Sequence, residues 1–199
     1  MKEALGLITV ALSIIGHTPY IIDTLKKKTK PHILTWLIWS IVTVLAFLGQ
    51  WAKGGGAGSL TTGVTGVITI FIAILAFKNG TKNISKSDKV FFVAALFAII
   101  PWYITKDPTI SVVIASTVDA FAFYPTMRKT LKDPGSETLT TYIMNVLRHG
   151  LSIGALSSYN LATYIYPLIL LVMNAVVAAM IIAPRLRDFY TSEVITSEV

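Results

Sequence analysis

Seven apolar segments, each long enough to approach a bilayer crossing, constrain this chain more than any short motif. A bilayer core about 30 Å thick needs roughly 17–25 apolar residues in a helix. The predicted spans are Glu3–Thr24, His32–Trp51, Ser59–Phe77, Lys89–Ile104, Thr109–Thr130, Thr138–Leu156 and Asn160–Ala183. Because lipid satisfies no backbone hydrogen bonds, each span must be helical. We therefore predict an all-α integral membrane protein with seven transmembrane helices.

The composition agrees with this class and excludes several kinds of chemistry. Only 14% of the residues are charged, against roughly a quarter in soluble domains. The chain has no cysteine, which excludes disulfides, thiolate nucleophiles and Cys-ligated metals. It has no His/Asp/Glu cluster at metal-ligand spacing, no nucleophile elbow and no Gly-rich phosphate loop. We expect no cofactor, no metal and no enzymatic activity.

The positive charges predict the orientation in the membrane. Thirteen Lys and Arg residues fall on one side of the seven spans, and three, Lys2, Lys53 and Lys106, fall on the other. Cytoplasmic loops carry the excess of basic residues. We expect the plasma membrane of the cell, an outside N-terminus that is a span and not a signal peptide, and a cytosolic C-terminus. The net charge of +7 then reflects topology and contact with lipids, not nucleic-acid binding.

An internal repeat relates the two halves of the chain. Aligning Pro19 with Pro125 brings the pattern Pro-x4-Thr-Leu-Lys into register, followed in both halves by a polar loop and a Thr-aromatic helix start at Thr35 and Thr141. The repeat predicts a three-helix unit in residues 1–78, a linker helix in 79–107, a second unit in 108–184 and a cytosolic tail in 185–199. Parallel repeats of this kind are one known transporter design.

This 3+1+3 layout, with a proline near the cytosolic end of the first helix in each half, resembles the SWEET sugar transporters and the PQ-loop proteins. Vitamin transporters of the nicotinamide-riboside type share the architecture. The resemblance implies two parallel three-helix bundles that alternate access for a sugar, an amino acid or a vitamin-like solute. Where these families carry a glutamine after the proline, this chain has Tyr20 and Thr126. In SWEETs an asparagine on the third helix of each unit lines the pocket, and Asn174 matches that position in the second unit.

Polar residues inside the spans are the candidate functional residues. An ionisable residue at mid-membrane costs about 2.5–3.5 kcal/mol by insertion scales, so it indicates function by default. Helical spacing places one polar stripe on the sixth span. Its members are Thr138, Tyr142, Thr141, Asn145, Arg148, His149 and Ser152. We predict that Tyr142, Asn145, Arg148 and His149 bind the solute, together with Asn174 and with Trp39 of the second span.

Two opposite charges are expected at the same depth. Asp119 and Arg148 each lie ten residues into their spans, which is about 15 Å at 1.5 Å per residue. We predict that they pair or share a hydrated cavity, either as a structural lock or as a site for ions or substrate. Lysosomal PQ-loop exporters, which this chain resembles, couple transport to protons through intramembrane carboxylates. Proton coupling here would use Asp119, with His17 and His149 as further titratable candidates, and passive facilitation is the alternative.

Pro19 and Pro125 are predicted to be hinges, because proline removes a backbone hydrogen bond. The alternative for His17 is that it caps a carbonyl freed by Pro19. Trp36 is interpreted as an interface anchor, and the stretch KGGGAGS after Ala52 as a flexible connector.

The predicted function is membrane transport of a small polar solute, with a homo-oligomer left open. The alternative is a non-transporting seven-helix scaffold or a lipid-handling protein. A dry, close-packed interior would favour that alternative.

Overall fold

The computed structural model describes residues 1–27, 30–80, 84, 86–134 and 139–197, without the side chains of 87, 88, 124, 125, 128, 129 and 185–197. Within these ranges the chain is helical and contains no β-strand. The helices are α1 Lys2–Leu25, α2 Ile33–Ala52, α3 Ala57–Asn79, α4 Lys86–Phe97, α5 Ile100–Thr105, α6 Thr109–Ala122, α7 Tyr124–Lys132, α8 Leu139–Gly154 and α9 Leu161–Ser197. The predicted all-α class is confirmed. Thr138, the first residue of the predicted polar stripe, lies outside the described residues.

Four of these helices are long and apolar enough to cross a membrane, which indicates a membrane protein. They are α1, α2, α3 and the Leu161–Pro184 part of α9. Shorter apolar helical stretches cover Lys89–Thr105 and Thr109–Ala122. Helix α8 has 16 residues and carries the polar stripe, so its apolar content is lower.

Two of the predicted spans are each divided into two helices. The fourth consists of α4 and α5, and Pro101 lies in the first turn of α5, where its missing N–H costs least. The fifth consists of α6 and α7, which separate at Phe123. Helix α1, by contrast, continues through Pro19. The two prolines that the repeat equates therefore lie in different backbone settings. Pro125 is in the first turn of α7, and its side chain lies outside the described ones.

The helices pack into two groups that meet along a shared interface. Helix α3 contacts both α1 and α2, and α9 contacts both α6 and α8. Between the groups, α1 packs on α8 and α2 packs on α6. Helix α4 lies against α2 and α6, where an apolar cluster that includes Val42, Ala98 and Ala115 is buried.

Hydrogen bonds between loops identify one end of the bundle, here called the Lys53 end. The Lys53 ammonium contacts the Asp107 carboxylate at 2.6 Å, and the Asn160 amide donates to the Lys53 carbonyl at 3.0 Å. The Lys2 ammonium donates to the Leu156 carbonyl at 2.6 Å. The start of α1, the α2–α3 turn, the α5–α6 loop and the α8–α9 turn therefore meet there. The opposite end, with Lys26 at the end of α1, is called the Lys26 end.

Candidate functional site

Two adjoining cavities lie at the interface between the helix groups. The large cavity, about 470 Å³, is lined by Leu12, Ile15, Gly16, His17, Tyr20, Trp36, Trp39, Thr140, Thr141, Met144, Asn145 and Arg148. The small cavity, about 170 Å³, is lined by His17, Trp36, Trp39, Thr43, Thr65, Thr69, Asp119, Phe123, Asn145, Arg148, His149, Tyr166, Leu170 and Asn174. Five residues line both, so the two spaces are neighbours. Of the predicted site residues whose side chains are described, all except Pro19 and Tyr142 line at least one of them.

Aromatic rings form one wall of the large cavity. The Trp36 ring centroid lies 5.0 Å from that of Tyr20 and 5.0 Å from that of Trp39, the latter edge-on. The Trp36 indole N–H donates to the Tyr20 hydroxyl at 3.2 Å. Trp36 is only 7% exposed, so its interpretation as an interface anchor is wrong. Burial against α1 stabilises the ring there because it removes apolar area from the surface while its N–H stays bonded.

Asp119 lies at the end of a hydrogen-bonded chain that joins α2, α6 and α9. The Tyr166 hydroxyl donates to the Asp119 carboxylate at 2.8 Å. The Thr43 hydroxyl lies 3.0 Å from the Tyr166 oxygen and must be the donor there, since the Tyr166 proton is used. Trp39 lines the same small cavity as the carboxylate. Asp119 is 5% exposed and has its partners inside the protein.

Arg148 has weaker contacts. One terminal nitrogen lies 3.3 Å from the Ser13 hydroxyl, and the other lies 3.2 Å from Nε2 of His149. A guanidinium only donates, so His149 must accept with a neutral ring that carries its proton on Nδ1. The Nε–H of Arg148 is buried with no hydrogen-bond partner.

The predicted ion pair between Asp119 and Arg148 is not formed. Among the described side chains, the one ion pair within 4.0 Å joins Lys53 and Asp107. The Asp119 carboxylate accepts a hydrogen bond from Tyr166, while Arg148 donates to the Ser13 hydroxyl on α1. Both charged residues nevertheless line the small cavity, and a shared hydrated cavity stays a prediction.

The two predicted asparagines contact each other across α8 and α9. The Asn145 amide nitrogen donates to the Asn174 oxygen at 3.0 Å, and the Asn174 nitrogen donates to the Leu170 carbonyl at 2.7 Å. Each therefore uses part of its hydrogen-bonding capacity on the protein. The remaining donors and acceptors are available to a molecule in the small cavity, which both residues line.

The remaining candidates lie as follows. His17 lines both cavities, and its Nδ1 donates to the Ser13 carbonyl at 2.7 Å. It does not cap the carbonyl that Pro19 frees, since that carbonyl belongs to Ile15, four residues before the proline. Tyr142 is half-buried and lines neither cavity.

The Lys53 end is closed by backbone contact between the glycine-rich turn and the end of α8. The Gly58 N–H donates to the Ala155 carbonyl at 3.1 Å, and the Ser157 N–H donates to the Gly55 carbonyl at 3.0 Å. The Ser152 hydroxyl donates to the Gly58 carbonyl at 2.8 Å. A Cβ on Gly56, which has φ +58°, would clash with the Ser157 hydroxyl oxygen. The interpretation of this turn as a flexible connector is therefore wrong.

Three site residues were missed in the sequence: Tyr20, Ser13 and Tyr166. Tyr166 precedes Leu170 by four residues and Asn174 by eight, which places all three on one helix face. That spacing is the sequence signal that could have identified Tyr166 as a site residue. Ser13 precedes His17 by four residues on α1 in the same way.

No protein-family model, curated protein or solved structure matches this chain. Its function is therefore inferred from the two cavities and the closed end. They provide hydrogen-bond donors and acceptors, two opposite charges and an aromatic wall.

Proposed function

We propose that this protein is a membrane transporter that moves a small polar solute by alternating access between two three-helix units. In this proposal seven segments cross the membrane, with α4–α5 and α6–α7 each making one crossing. The N-terminus is outside and the C-terminus cytosolic. The observation that carries the proposal is the pair of cavities between the helix groups, adjoining a closed Lys53 end.

The helix contacts support the two-unit arrangement. In the repeat, α1 corresponds to α6–α7, α2 to α8 and α3 to α9. Exchanging the two units therefore turns the α1–α8 contact into the α6–α2 contact. The α2–α9 contact likewise becomes the α8–α3 contact. All four contacts occur. Parallel repeats related by an axis along the membrane normal would produce this pattern, so the contacts agree with the repeat read from the sequence.

The lining of the large cavity supports a conformation open toward the Lys26 end. Ten of its twelve residues, all except Leu12 and Arg148, come from the second half of α1 and the first halves of α2 and α8, which lie toward that end. By the distribution of basic residues the Lys26 end is cytosolic. The closed contacts of Gly55 and Gly58 lie on the opposite side. In the proposed transporter, this arrangement would be the inward-facing state.

The proposed roles follow from position in this arrangement. Asn145, Asn174, Arg148, His149 and Trp39 would contact the solute in the small cavity, and Asp119 and His17 would couple ion or proton movement. The separation of α6 from α7 at Phe123, just before Pro125, supports a hinge in the second unit. Tyr142 would act indirectly, since it lines neither cavity.

The alternative, a scaffold or lipid-handling protein, has one observation in its favour. An apolar hollow of about 440 Å³ lies between α2, α3 and α5 and includes Leu45, Ile70 and Trp102 in its lining. Such a hollow accommodates an acyl chain but does not explain buried Asp119 and Arg148. A scaffold or lipid-handling protein would not need a polar cavity in its interior.

Single-cysteine labelling tests transport directly, because the natural chain has no cysteine. Met144→Cys lines the large cavity, and Thr61→Cys lies at the closed Lys53 end, where Thr61 is 2% exposed and hydrogen-bonded to Thr9. With a membrane-impermeant maleimide applied separately to each face, we expect Met144→Cys to react from the cytosolic face. Thr61→Cys should react from the outside during turnover, at a rate that a transported solute changes.

Two outcomes contradict the proposal. One is that Thr61→Cys stays unreactive from outside under all solutes while a control at exposed Tyr159, 58% exposed, reacts. The other is that both positions react from the same face. Solute uptake by proteoliposomes that contain the purified protein is the companion measurement.

A further inference from the structure

Arg148 has the least satisfied charge in the described interior. It is 8% exposed, and its two hydrogen bonds, at 3.3 and 3.2 Å, go to uncharged partners. Bonds from a guanidinium to a carboxylate are typically about 2.7–2.9 Å long and about twice as strong as neutral ones. Its Nε–H has no partner. Donor capacity therefore remains on a buried, permanently charged group.

Among the described side chains, no carboxylate lies within 4.0 Å of the Arg148 guanidinium. His149 is its immediate neighbour, and His17 lines the same two cavities; neither carries a negative charge. Asp119 lines the small cavity, but its carboxylate accepts from Tyr166 and forms no ion pair with Arg148. A buried charge without a partner is costly. A ligand that supplies an anionic group would remove that cost.

The cavities indicate the shape of such a ligand. A water occupies about 30 Å³ in the liquid, so the small cavity of about 170 Å³ has room for a group of a few heavy atoms. Arg148 lines both cavities, and the large one adds the Tyr20 and Trp36 rings. The charged group and the apolar wall lie within reach of one small molecule.

We infer that Arg148 binds the carboxylate of a small organic monocarboxylate whose apolar body packs on the Tyr20–Trp36–Trp39 wall. The planar guanidinium offers two parallel N–H donors that match a carboxylate. The inference rests on the proposed function, because it names the solute class for the same site. It excludes neutral sugars as the best-bound solutes.

Three ligands with one carbon skeleton test this inference on the full-length protein in detergent. Phenylacetate carries the carboxylate, phenylacetamide is its neutral analogue, and phenylglycine adds an ammonium. Binding is measured as the rise in thermal stability with ligand concentration, which follows mass action, and as quenching of tryptophan fluorescence. Phenylacetate should bind at least about tenfold more tightly than phenylacetamide.

The variants separate the role of Arg148 from general effects of charge. Arg148→Gln should remove the preference for phenylacetate, and Arg148→Lys should keep a reduced one. Lys53→Gln removes a basic residue that lines neither cavity and should leave the preference unchanged. If Arg148→Gln does not fold, the inference is still tested by the ratio of phenylacetate to phenylacetamide affinity, measured on the natural chain and on Arg148→Lys.

Several results would overturn the inference. They are equal binding of phenylacetate and phenylacetamide, no binding of phenylacetate, or a full preference retained in Arg148→Gln. Tight binding of phenylglycine with none of phenylacetate would instead indicate that Asp119 takes an ammonium group. The cysteine labelling above is independent of these results. If the labelling shows alternating access but the protein does not prefer carboxylates, only the proposed ligand class is refuted. If the protein binds carboxylates but the labelling shows no change in access, transport is refuted.

Discussion

The two ends of the interface between α1, α3 and α8 are built differently. At the Lys53 end small residues allow backbones to touch, and Gly58 and Ala155 are joined by a main-chain hydrogen bond. A Cβ on Gly6 there would lie 2.7 Å from the Ala57 carbonyl oxygen. Toward the Lys26 end the same helices carry His17, Tyr20 and Asn145, which line a cavity.

In the proposed transporter, this difference would allow one helix interface to hold a solute at one end and to close at the other. Close backbone approach leaves no room for a ligand and allows little adjustment, since packed interiors respond to single methylene groups. Long polar and aromatic side chains keep helices apart and provide partners for a solute. Each end can be altered separately.

The largest effect is expected at Gly58. A methyl group there would lie 2.5 Å from the Ser152 carbonyl oxygen and 2.7 Å from the Leu156 nitrogen. Because both are backbone atoms, Gly58→Ala should push α3 from α8 and cost about 1–3 kcal/mol of unfolding free energy. Thermal unfolding in detergent measures this. Gly154→Ala is the control, since a Cβ at Gly154 meets nothing within 4 Å. An unchanged unfolding temperature for Gly58→Ala would show that the end is loosely packed.

The next effect concerns the cavity end, where Asp119 is bound by Tyr166 and not by Arg148. Tyr166→Phe should cost about 1–3 kcal/mol because it leaves a buried carboxyl oxygen without its donor. In double-mutant cycles, Asp119→Asn should couple to Tyr166→Phe by about 0.5–3 kcal/mol, and to Arg148→Gln by less. Stronger coupling to Arg148 would mean that the ion pair forms in the membrane.

A smaller effect is expected in the aromatic wall. Tyr20→Phe keeps the ring but removes the acceptor for the Trp36 indole N–H, which should cost about 0.5–1.5 kcal/mol. Tyr103→Phe, at a position 76% exposed, should stay within about 0.5 kcal/mol of the natural chain. Tryptophan fluorescence during unfolding reports both. Equal losses in the two variants would contradict the role of the hydroxyl.

The smallest effect is expected at the exposed ion pair of the Lys53 end. The Lys53 ammonium, with the Thr109 N–H, holds the pKa of the Asp107 carboxyl well below its usual range. A carboxyl with a depressed folded-state pKa contributes stability above its unfolded pKa of about 3.9 and loses it as pH falls through the folded value. Asp107→Asn should be slightly less stable at neutral pH and lose that deficit in strong acid. A deficit that persists in acid would contradict this.

Local patterns predicted the helices well. The predicted spans agree with α1, α2, α3 and α8 within two residues at each end. The polar stripe on α8 was also visible, since Arg148, His149 and Ser152 are buried while Leu147 is 53% exposed. Residue spacing determines which side chains share a helix face, so these features needed no tertiary information.

Local patterns failed where a feature depends on a distant segment. Proline positions did not distinguish a continuous α1 from the separation of α6 and α7 at Phe123. Helix α9 also continues to Ser197, into the stretch expected to be the tail. Depth along the spans placed Asp119 and Arg148 at one level, but it could not show that Tyr166 on α9 would take the carboxylate.

By itself the sequence determined that this chain is helical, apolar enough for a membrane, and polar along one face of α8. These properties depend on residues within a few turns of one another. Only the tertiary structure decided that Arg148 lies without a carboxylate partner and that the glycine-rich turn closes one end. Both depend on how α1, α3, α8 and α9 pack, which brings together residues that are far apart in the chain.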